Sequence, residues 1–225
     1  MGTFYNTKIV TDGLIALHDA GNTKSYPGSG TTWTDLSGNG NTGTLQNGSS
    51  YSSTNGGSIV FDGTNDYVSF IDNFGNPQQF TFEFWAYPTE LNIDGNNNYR
   101  RILRAIGASS NDINSILLEQ SGNIGFRVPG GATANIQASG YSSANQWGCC
   151  VCTYDQSNKK VYFNGNLTQT AAEAGITVDF GSSQLVDQNG QTFKGNIPIV
   201  RVYSKALSAA EVAQNYNALK GRFGL

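Results

Sequence analysis

The chain has 225 residues and a formal net charge of −3, and only 13% of its residues are charged. This weakly acidic balance excludes the basic surface that nucleic-acid binding requires, and no apolar run reaches the roughly 18 residues of a membrane-spanning helix. The 28 glycines and the many Asn, Ser and Thr residues favour an all-β protein with tight turns. Because strand signals continue at short spacing, residues 1–225 are predicted to form a single domain.

The first elements are short and rich in turns. A strand pair is predicted over residues 8–17, broken at Thr11-Asp12-Gly13. Residues 21–58 are rich in Gly, Ser, Thr and Asn. Because long structureless loops are uncommon inside compact domains, we predict ordered loops and short strands there, anchored by Trp33 and Leu36. Residues 59–68 (IVFDGTNDYV) place apolar residues on both sides of a turn, which predicts a hairpin.

The middle of the chain contains the clearest strand, residues 80–87 (FTFEFWAY). Phe80, Phe82 and Phe84 alternate with the other side chains, which predicts one face on a core, and Pro88 ends the strand. A turn at residues 155–158 predicts a hairpin, and Pro198 is predicted at a bulge or an edge of the last strand. The other predicted strands are residues 102–106, 115–119, 123–128, 147–154, 160–163 and 193–203.

A single short helix is predicted at residues 208–221. Ser208 and Glu211 form a capping box at its start, and Gly221 is predicted to end it. A helix this short is not stable alone, so its apolar face should dock on the strands. The positions that share this face are Val212, Tyr216 and Leu219.

The three cysteines are clustered in one apolar run. Cys150 and Cys152 fall on one face of a strand and Cys149 on the other. A zinc site would need a fourth ligand, and His18 is the single histidine of the chain. We therefore predict three buried free thiols.

A series of motifs keeps one order along almost the whole chain. They are residues 13–22 (GLIALHDAGN), 25–39 (SYPGSGTTWTDLSGN), 61–63 (FDG), 82–85 (FEFW), Trp147, 161–165 (VYFNG), 193–195 (FKG), 200–203 (VRVY), 206–208 (ALS) and 214–217 (QNYN). Together they resemble the laminin-G-like group of the concanavalin-A-like lectin/glucanase superfamily, in the form common in bacteriophage genomes. The resemblance implies an all-β fold, a two-sheet antiparallel jelly-roll sandwich with one short C-terminal helix. It also implies a binding module, although fold alone does not fix a ligand.

Calcium is the cofactor that the resemblance suggests, because family members often bind Ca²⁺ at the rim of a sheet. Asp62, Asn65 and Asp66 lie in one predicted turn and offer two carboxylates and an amide, the hard oxygen ligands that Ca²⁺ requires. The alternative is that these residues serve turn geometry alone.

Glycan binding would use aromatic platforms with polar neighbours from loops. Tyr99, Tyr141 and Trp33 are the predicted ligand-binding residues, because they lie in loop-like segments. Tyr99 follows three asparagines, and of the three aromatic residues it is the one most available to a ligand. Trp33 has a second interpretation as a structural plug, since its neighbours also match the family.

Catalysis is not expected. Glucanases of this superfamily place carboxylates in a Glu-x-Asp-x-x-Glu pattern, which flanks the glycosidic bond with acid and nucleophile. This pattern does not occur here, and Glu83 stands alone in its strand. A Ser-His-Asp triad would depend wholly on His18, which lies in an apolar segment and is predicted to be packing.

Three functions remain open. The first is a non-enzymatic phage virion protein, displayed as a capsid decoration or fibre-associated adhesin, with capsid or tail proteins or host-surface glycans as partners and with self-association. The second is a calcium-dependent carbohydrate-binding lectin, and the third is a divergent glycoside hydrolase. Residues 1–6 lack the basic and apolar segments of a signal peptide, which favours virion assembly in the host cytoplasm. Residues 1–7 and 222–225 are predicted docking segments. The alternative for Phe223 and Leu225 is that they complete the contact of the helix with the sandwich.

Overall fold

The computed structural model describes residues 8–70, 74–91, 99–106, 113–128, 136–174, 180, 182–186 and 192–225, which form two antiparallel sheets stacked as a sandwich with one short α-helix. The predicted fold class, an all-β antiparallel sandwich with a C-terminal helix, is confirmed. The predicted docking arm at residues 1–7 lies outside the described residues.

The elements follow one another closely along the chain. The strands are β1 (Leu14–Asp19), β2 (Thr32–Trp33), β3 (Gly43–Gln46), β4 (Ser50–Ser52), β5 (Ser58–Asp62), β6 (Tyr67–Phe70), β7 (Phe80–Pro88), β8 (Tyr99–Ile106), β9 (Ile113–Glu119), β10 (Ile124–Arg127), β11 (Ile136–Ala138), β12 (Gly148–Tyr154), β13 (Asn158–Phe163), β14 (Asn166–Ala172), β15 (Ser182–Leu185) and β16 (Lys194–Tyr203). The helix is α1 (Ala209–Leu219). The first 3₁₀ turn is Thr54–Gly56 and the terminal 3₁₀ turn is Lys220–Phe223.

Each sheet mixes strands from distant parts of the chain. The first sheet has the order β14-β13-β12-β7-β16-β5-β4, and β1 also pairs with β16. The second sheet has the order β11-β10-β9-β8-β15-β6-β3-β2. The hairpin predicted around residues 155–158 is confirmed, because Tyr154 pairs with Lys159 between β12 and β13.

The main core lies between the two sheets. Phe80, Phe82 and Phe84 of β7 point into it, as their alternation predicted, together with Cys150 and Cys152 of β12. The prediction of buried free thiols is confirmed, because Cys149 is also buried, on the opposite face of β12. Pairing of phenyl rings continues across the core: the Phe80 and Phe180 ring centroids are 5.0 Å apart in an edge-to-face contact.

Pro198 lies at an irregularity of β16. This strand pairs with β5 as far as Ile197 and with β1 from Ile199, and its register against β7 shifts between Asn196 and Ile199. A residue without a backbone N–H is tolerated at such a bulge. The bulge alternative is therefore the correct one.

The predicted strand pair at residues 8–17 is wrong in its first half. Only β1 forms, beginning at Leu14. The Val10 N–H donates to Asn215 Oδ1 of α1 at 2.8 Å, so this backbone N–H bonds to the helix and is not part of a strand ladder.

The predicted helix end is also wrong. The capping box at Ser208 and Glu211 is confirmed, but α1 ends at Leu219 and the chain continues as the terminal 3₁₀ turn. Gly224 ends this turn with a φ of 72°, a left-handed conformation that glycine adopts without strain.

Candidate functional site

The outer face of the first sheet is largely covered by α1 and the terminal 3₁₀ turn. Trp85 of β7 and Tyr203 of β16 are buried there with Val212 of α1. Phe223 lies on Trp85 with ring centroids 4.4 Å apart. The strand of residues 80–87 is therefore buried on both faces, whereas its pattern predicted one core face.

Beneath α1 lies a buried polar network centred on Glu83. One carboxylate oxygen of Glu83 pairs with Arg201, and the other accepts a hydrogen bond from Asn215 Nδ2 at 2.6 Å. Asn215 also donates to the Tyr203 hydroxyl at 2.9 Å, and that hydroxyl donates to Val10 O at 3.2 Å. Burial raises the pKa of Tyr203, and the neighbouring Glu83 charge acts in the same direction. Glu83 thus joins the sheet to α1 and presents no oxygen to a substrate.

The uncovered end of this outer face holds a pocket of about 440 Å³. Its floor is formed by Tyr87 of β7 and Asn196 of β16, which are cross-strand partners. Its lining residues are Ser52, Thr54, Asn55, Tyr87, Trp147 and Asn196. The volume falls in the range of about 300–1,000 Å³ that small-molecule sites occupy.

Two aromatic rings form the apolar side of the pocket. Tyr87 and Trp147 are partly buried, and their ring centroids are 5.1 Å apart. Trp147 in turn contacts Phe223, with centroids 4.7 Å apart. Since Phe223 is wedged between Trp147 and Trp85, the terminal 3₁₀ turn fixes the position of the aromatic side.

The polar side of the pocket consists of amides and hydroxyls. Asn196 Nδ2 donates to Ser58 Oγ at 2.9 Å, and Asn55 Nδ2 donates to Arg222 O at 3.4 Å. Ser52 Oγ accepts the Thr54 N–H at 3.3 Å. These bonds orient each group before any ligand arrives, which lowers the ordering cost of binding.

Arg222 holds the first 3₁₀ turn against the sandwich. Its guanidinium donates to Asn55 O, Gly57 O and the Asp19 carboxylate, each at 2.8 Å. Gly21 allows this approach, because a Cβ there would lie 2.1 Å from Gly56 O and 2.4 Å from an Arg222 nitrogen. Within residues 222–225, Arg222 and Phe223 are packed against the sandwich, as the alternative for Phe223 proposed, and Leu225 is exposed. Docking by this segment stays a prediction.

The structure does not bring the predicted ligand-binding residues into this pocket. Trp33 is fully buried, as the plug interpretation proposed. Tyr141 is also a core residue, and its hydroxyl donates to Ala86 O at 3.0 Å. Tyr99 is partly exposed on β8 of the second sheet, with Arg101 over its ring at 5.8 Å. Only Tyr99 therefore keeps a ring face near solvent.

The predicted calcium ligands lie where the chain passes from β5 to β6. The hairpin predicted there is wrong, because β5 belongs to the first sheet and β6 to the second, and the two strands do not pair. Asp62 Oδ1 accepts the Thr64 N–H at 2.7 Å, Asp66 Oδ2 accepts the Asp62 N–H at 3.0 Å, and Asn65 O accepts from Asn47 at 2.9 Å. Burial raises the pKa of the Asp66 carboxyl. Within the described residues, no group of three or more His, Cys, Asp or Glu side chains could hold a metal ion. These contacts fit the turn-geometry alternative, and calcium stays a prediction.

His18 is a packing residue in this structure. Its ring lies between Trp33 and Phe70, with centroids 5.3 and 5.1 Å away. Burial lowers its pKa from 6.5 to about 4, although the Asp35 carboxylate acts in the opposite direction. A fully buried neutral imidazole of this kind does not present a base to a substrate.

The chain matches a known protein family, and its fold matches several solved structures. The Laminin_G_3 model, described as concanavalin A-like lectin/glucanases superfamily, matches residues 62–213, more than half of the chain. The chain belongs to this superfamily. No curated protein matches this superfamily member.

Solved structures share the fold at low sequence identity. The binding domain of Paraclostridial Mosquitocidal Protein 1 superposes with a TM-score of 0.73 at 19% identity, over 92% of this chain and 52% of that chain. Domain 4 of AbnA, a GH43 extracellular arabinanase from Geobacillus stearothermophilus solved in complex with arabinotriose, gives 0.63 at 20% identity, over 90% and 98%.

A botulinum neurotoxin type C structure, described in terms of cell entry that depends on two ganglioside molecules, gives a TM-score of 0.72 at 15% identity, over 93% of this chain and 52% of that chain. This superfamily member therefore spans about half the length of the toxin chains it matches. In the described part of the chain, no helix is both long enough and apolar enough to cross a membrane.

Proposed function

We propose that this chain is a non-enzymatic carbohydrate-binding module and that the pocket between Tyr87, Trp147 and Asn196 is its binding site. The observation that carries the proposal is the pairing of two aromatic rings with oriented amides and hydroxyls in one pocket. Sugar rings offer apolar C–H faces that rest on aromatic rings and hydroxyls that bond to amides. This division matches small-molecule sites, which are apolar with a few placed polar groups.

The structural relatives support this proposal. The arabinanase domain was solved with an arabinotriose, the neurotoxin is described as interacting with gangliosides, and the mosquitocidal protein domain is a binding domain. The proposal includes the absence of catalytic turnover. Glu83 is buried in bonds to Arg201 and Asn215. It is not among the residues that line the pocket.

The test is glycan-array screening of the purified chain, followed by calorimetric titration of the best ligand. We expect saturable binding that Tyr87→Ala weakens at least about tenfold, or about 1.4 kcal/mol. Tyr99→Ala is the matched variant, since it removes a partly exposed tyrosine from the second sheet. Loss of binding in Tyr99→Ala with full binding in Tyr87→Ala would contradict the assignment of the pocket.

The same titration, repeated with Ca²⁺ and with EDTA, tests the calcium-dependent lectin. None of the described residues that line the pocket carries a carboxylate, so we expect EDTA to leave affinity unchanged. Affinity that falls with EDTA and in Asp62→Asn would instead place a metal at the turn of Asp62, Asn65 and Asp66.

A more specific version of the proposal is that the module is displayed on a phage particle, and the motif resemblance supports this version. In that form the module is a capsid decoration or a fibre-associated adhesin whose pocket faces host-surface glycans. Immunogold labelling of particles assembled with this chain is the measurement. Label that stays in the particle-free fraction would refute display.

A further inference from the structure

The six described side chains that line the pocket are all uncharged. Two cations that adjoin lining residues already have partners: Arg222 beside Asn55, and Lys194 two residues before Asn196. Arg222 directs its guanidinium to Asn55 O, Gly57 O and Asp19, and Lys194 Nζ bonds to Glu90 at 3.2 Å. An anionic ligand would therefore meet no cation among the described side chains that line the pocket.

The orientation of the two amides adds a second constraint. Asn55 and Asn196 both direct their Nδ2 donors to protein acceptors, Arg222 O and Ser58 Oγ. Their Oδ1 atoms are left as acceptors, and within the described residues no group donates to either of them. The pocket thus offers two amide oxygens to the hydroxyl donors of a ligand, although each Nδ2 also keeps a second N–H.

We infer that the pocket selects neutral sugar units rich in hydroxyl donors and rejects sugar units that carry a carboxylate; this rests on the proposed carbohydrate binding. A carboxylate carries a full negative charge, and none of the described side chains that line the pocket supplies a positive charge to pair with it. Burying it there would cost much of its hydration without a compensating ion pair. The preference would then come from an unfavourable interaction with the acidic sugar and not from a stronger contact with the neutral one.

The test compares matched pairs of sugars on one aglycone: glucose with glucuronic acid and galactose with galacturonic acid. We expect the neutral member of the binding pair to bind at least about tenfold more tightly. Binding of the acid that equals or exceeds that of the neutral sugar would overturn the inference and leave the carbohydrate-binding proposal standing. Binding of no glycan, in this assay and in the array, would refute both.

A charge-introducing variant tests the cause of the selectivity. Thr54 is exposed at the rim of the pocket, so Thr54→Lys is tolerated and supplies the missing cation. We expect it to shift the acid-to-neutral affinity ratio at least about tenfold toward the acid. The control Thr170→Lys adds the same charge on the exposed edge strand β14 and should leave the ratio unchanged. An equal shift in both variants would mean that net charge, and not the pocket, sets the preference.

Discussion

At the scale of single residues, Asn215 connects three parts of the fold. Its side chain accepts from Val10 N and donates to Glu83 and Tyr203, so α1, β7, β16 and the segment before β1 meet at one buried amide. Buried polar groups that lose their partners carry the full cost of desolvation. This residue therefore contributes more to stability than its small apolar area suggests.

Replacing this amide should lower the free energy of unfolding. We expect Asn215→Ala to cost about 2–4 kcal/mol, because it leaves Val10 N and one Glu83 oxygen without a partner. Urea denaturation followed by tryptophan fluorescence measures the change. Asn217→Ala is the control, since Asn217 is exposed on the same helix. Equal losses in both variants would show that the network is not the cause.

The buried imidazole of His18 makes stability depend on pH. Its folded-state pKa is about 4 and its ordinary value is 6.5. The unfolded state therefore binds the proton first as pH falls, so stability is complete above pH 6.5 and is lost between 6.5 and about 4, by about 3 kcal/mol in total. Burial outweighs the Asp35 carboxylate and the Asn41 backbone, which both favour the protonated ring, so the net effect is a lowered pKa.

Denaturation curves from pH 7 to pH 4.5 check this. His18→Leu removes the titrating group, and the slope of stability against pH in this window should become shallow. Burial would raise the pKa of Asp35, but hydrogen bonds from Leu17, Ser37 and Asn41 lower it below its ordinary value of 3.8. Asp35 therefore changes the free energy of unfolding mainly below about pH 4, outside this window. An unchanged slope in His18→Leu would assign the dependence to another group.

At the scale of elements, the terminal 3₁₀ turn supports both sides of the pocket. Phe223 backs Trp147, and Arg222 fixes the turn that carries Thr54 and Asn55. Neither residue lines the pocket itself, so each is a positioning residue. Affinity for a ligand should consequently depend on residues that the ligand does not contact.

Removing the guanidinium should therefore weaken sugar binding. We expect Arg222→Ala to reduce affinity about tenfold, because the guanidinium bonds to Asn55 O and to the following Gly57 O are lost together with the ion pair to Asp19 that anchors them. Calorimetric titration measures the loss. Lys220→Ala makes the same charge change in the same turn, and it should bind like the parent chain. Equal weakening in Lys220→Ala would point to net charge.

Periodicity predicted the long elements, and contacts between distant segments explain the misses. The FTFEFWAY alternation placed β7 correctly, and Ser208 and Glu211 located the start of α1. Strand β14 was missed because its seven residues are mostly exposed and polar. The pocket was missed because Asn55, Trp147 and Asn196 are far apart in sequence and meet only through pairing of β4, β5, β16 and β7.

At the scale of the whole molecule, the two hydrophobic clusters share their strands. Strands β7, β12 and β16 each contribute one face to the core between the sheets and the other to the cluster under α1. Neither cluster can open without disturbing strands that belong to the other. If residues 1–225 form a single domain, as predicted, the two clusters should therefore unfold together.

We expect one cooperative thermal transition. Scanning calorimetry should give a calorimetric enthalpy close to the van't Hoff enthalpy, the mark of two-state unfolding. Circular dichroism at a helical wavelength, recorded in parallel, serves as the control for α1. A separate early loss of the helical signal would show that α1 and the sandwich unfold independently.

The burial of the three cysteines has a kinetic consequence. Cys149, Cys150 and Cys152 alternate across β12, an interior strand, and burial raises the pKa of each thiol. A thiol reagent in native buffer must wait until β12 separates from its neighbours. The rate at which the reagent labels these thiols therefore reports how often β12 separates from β7 and β13 in the middle of the first sheet.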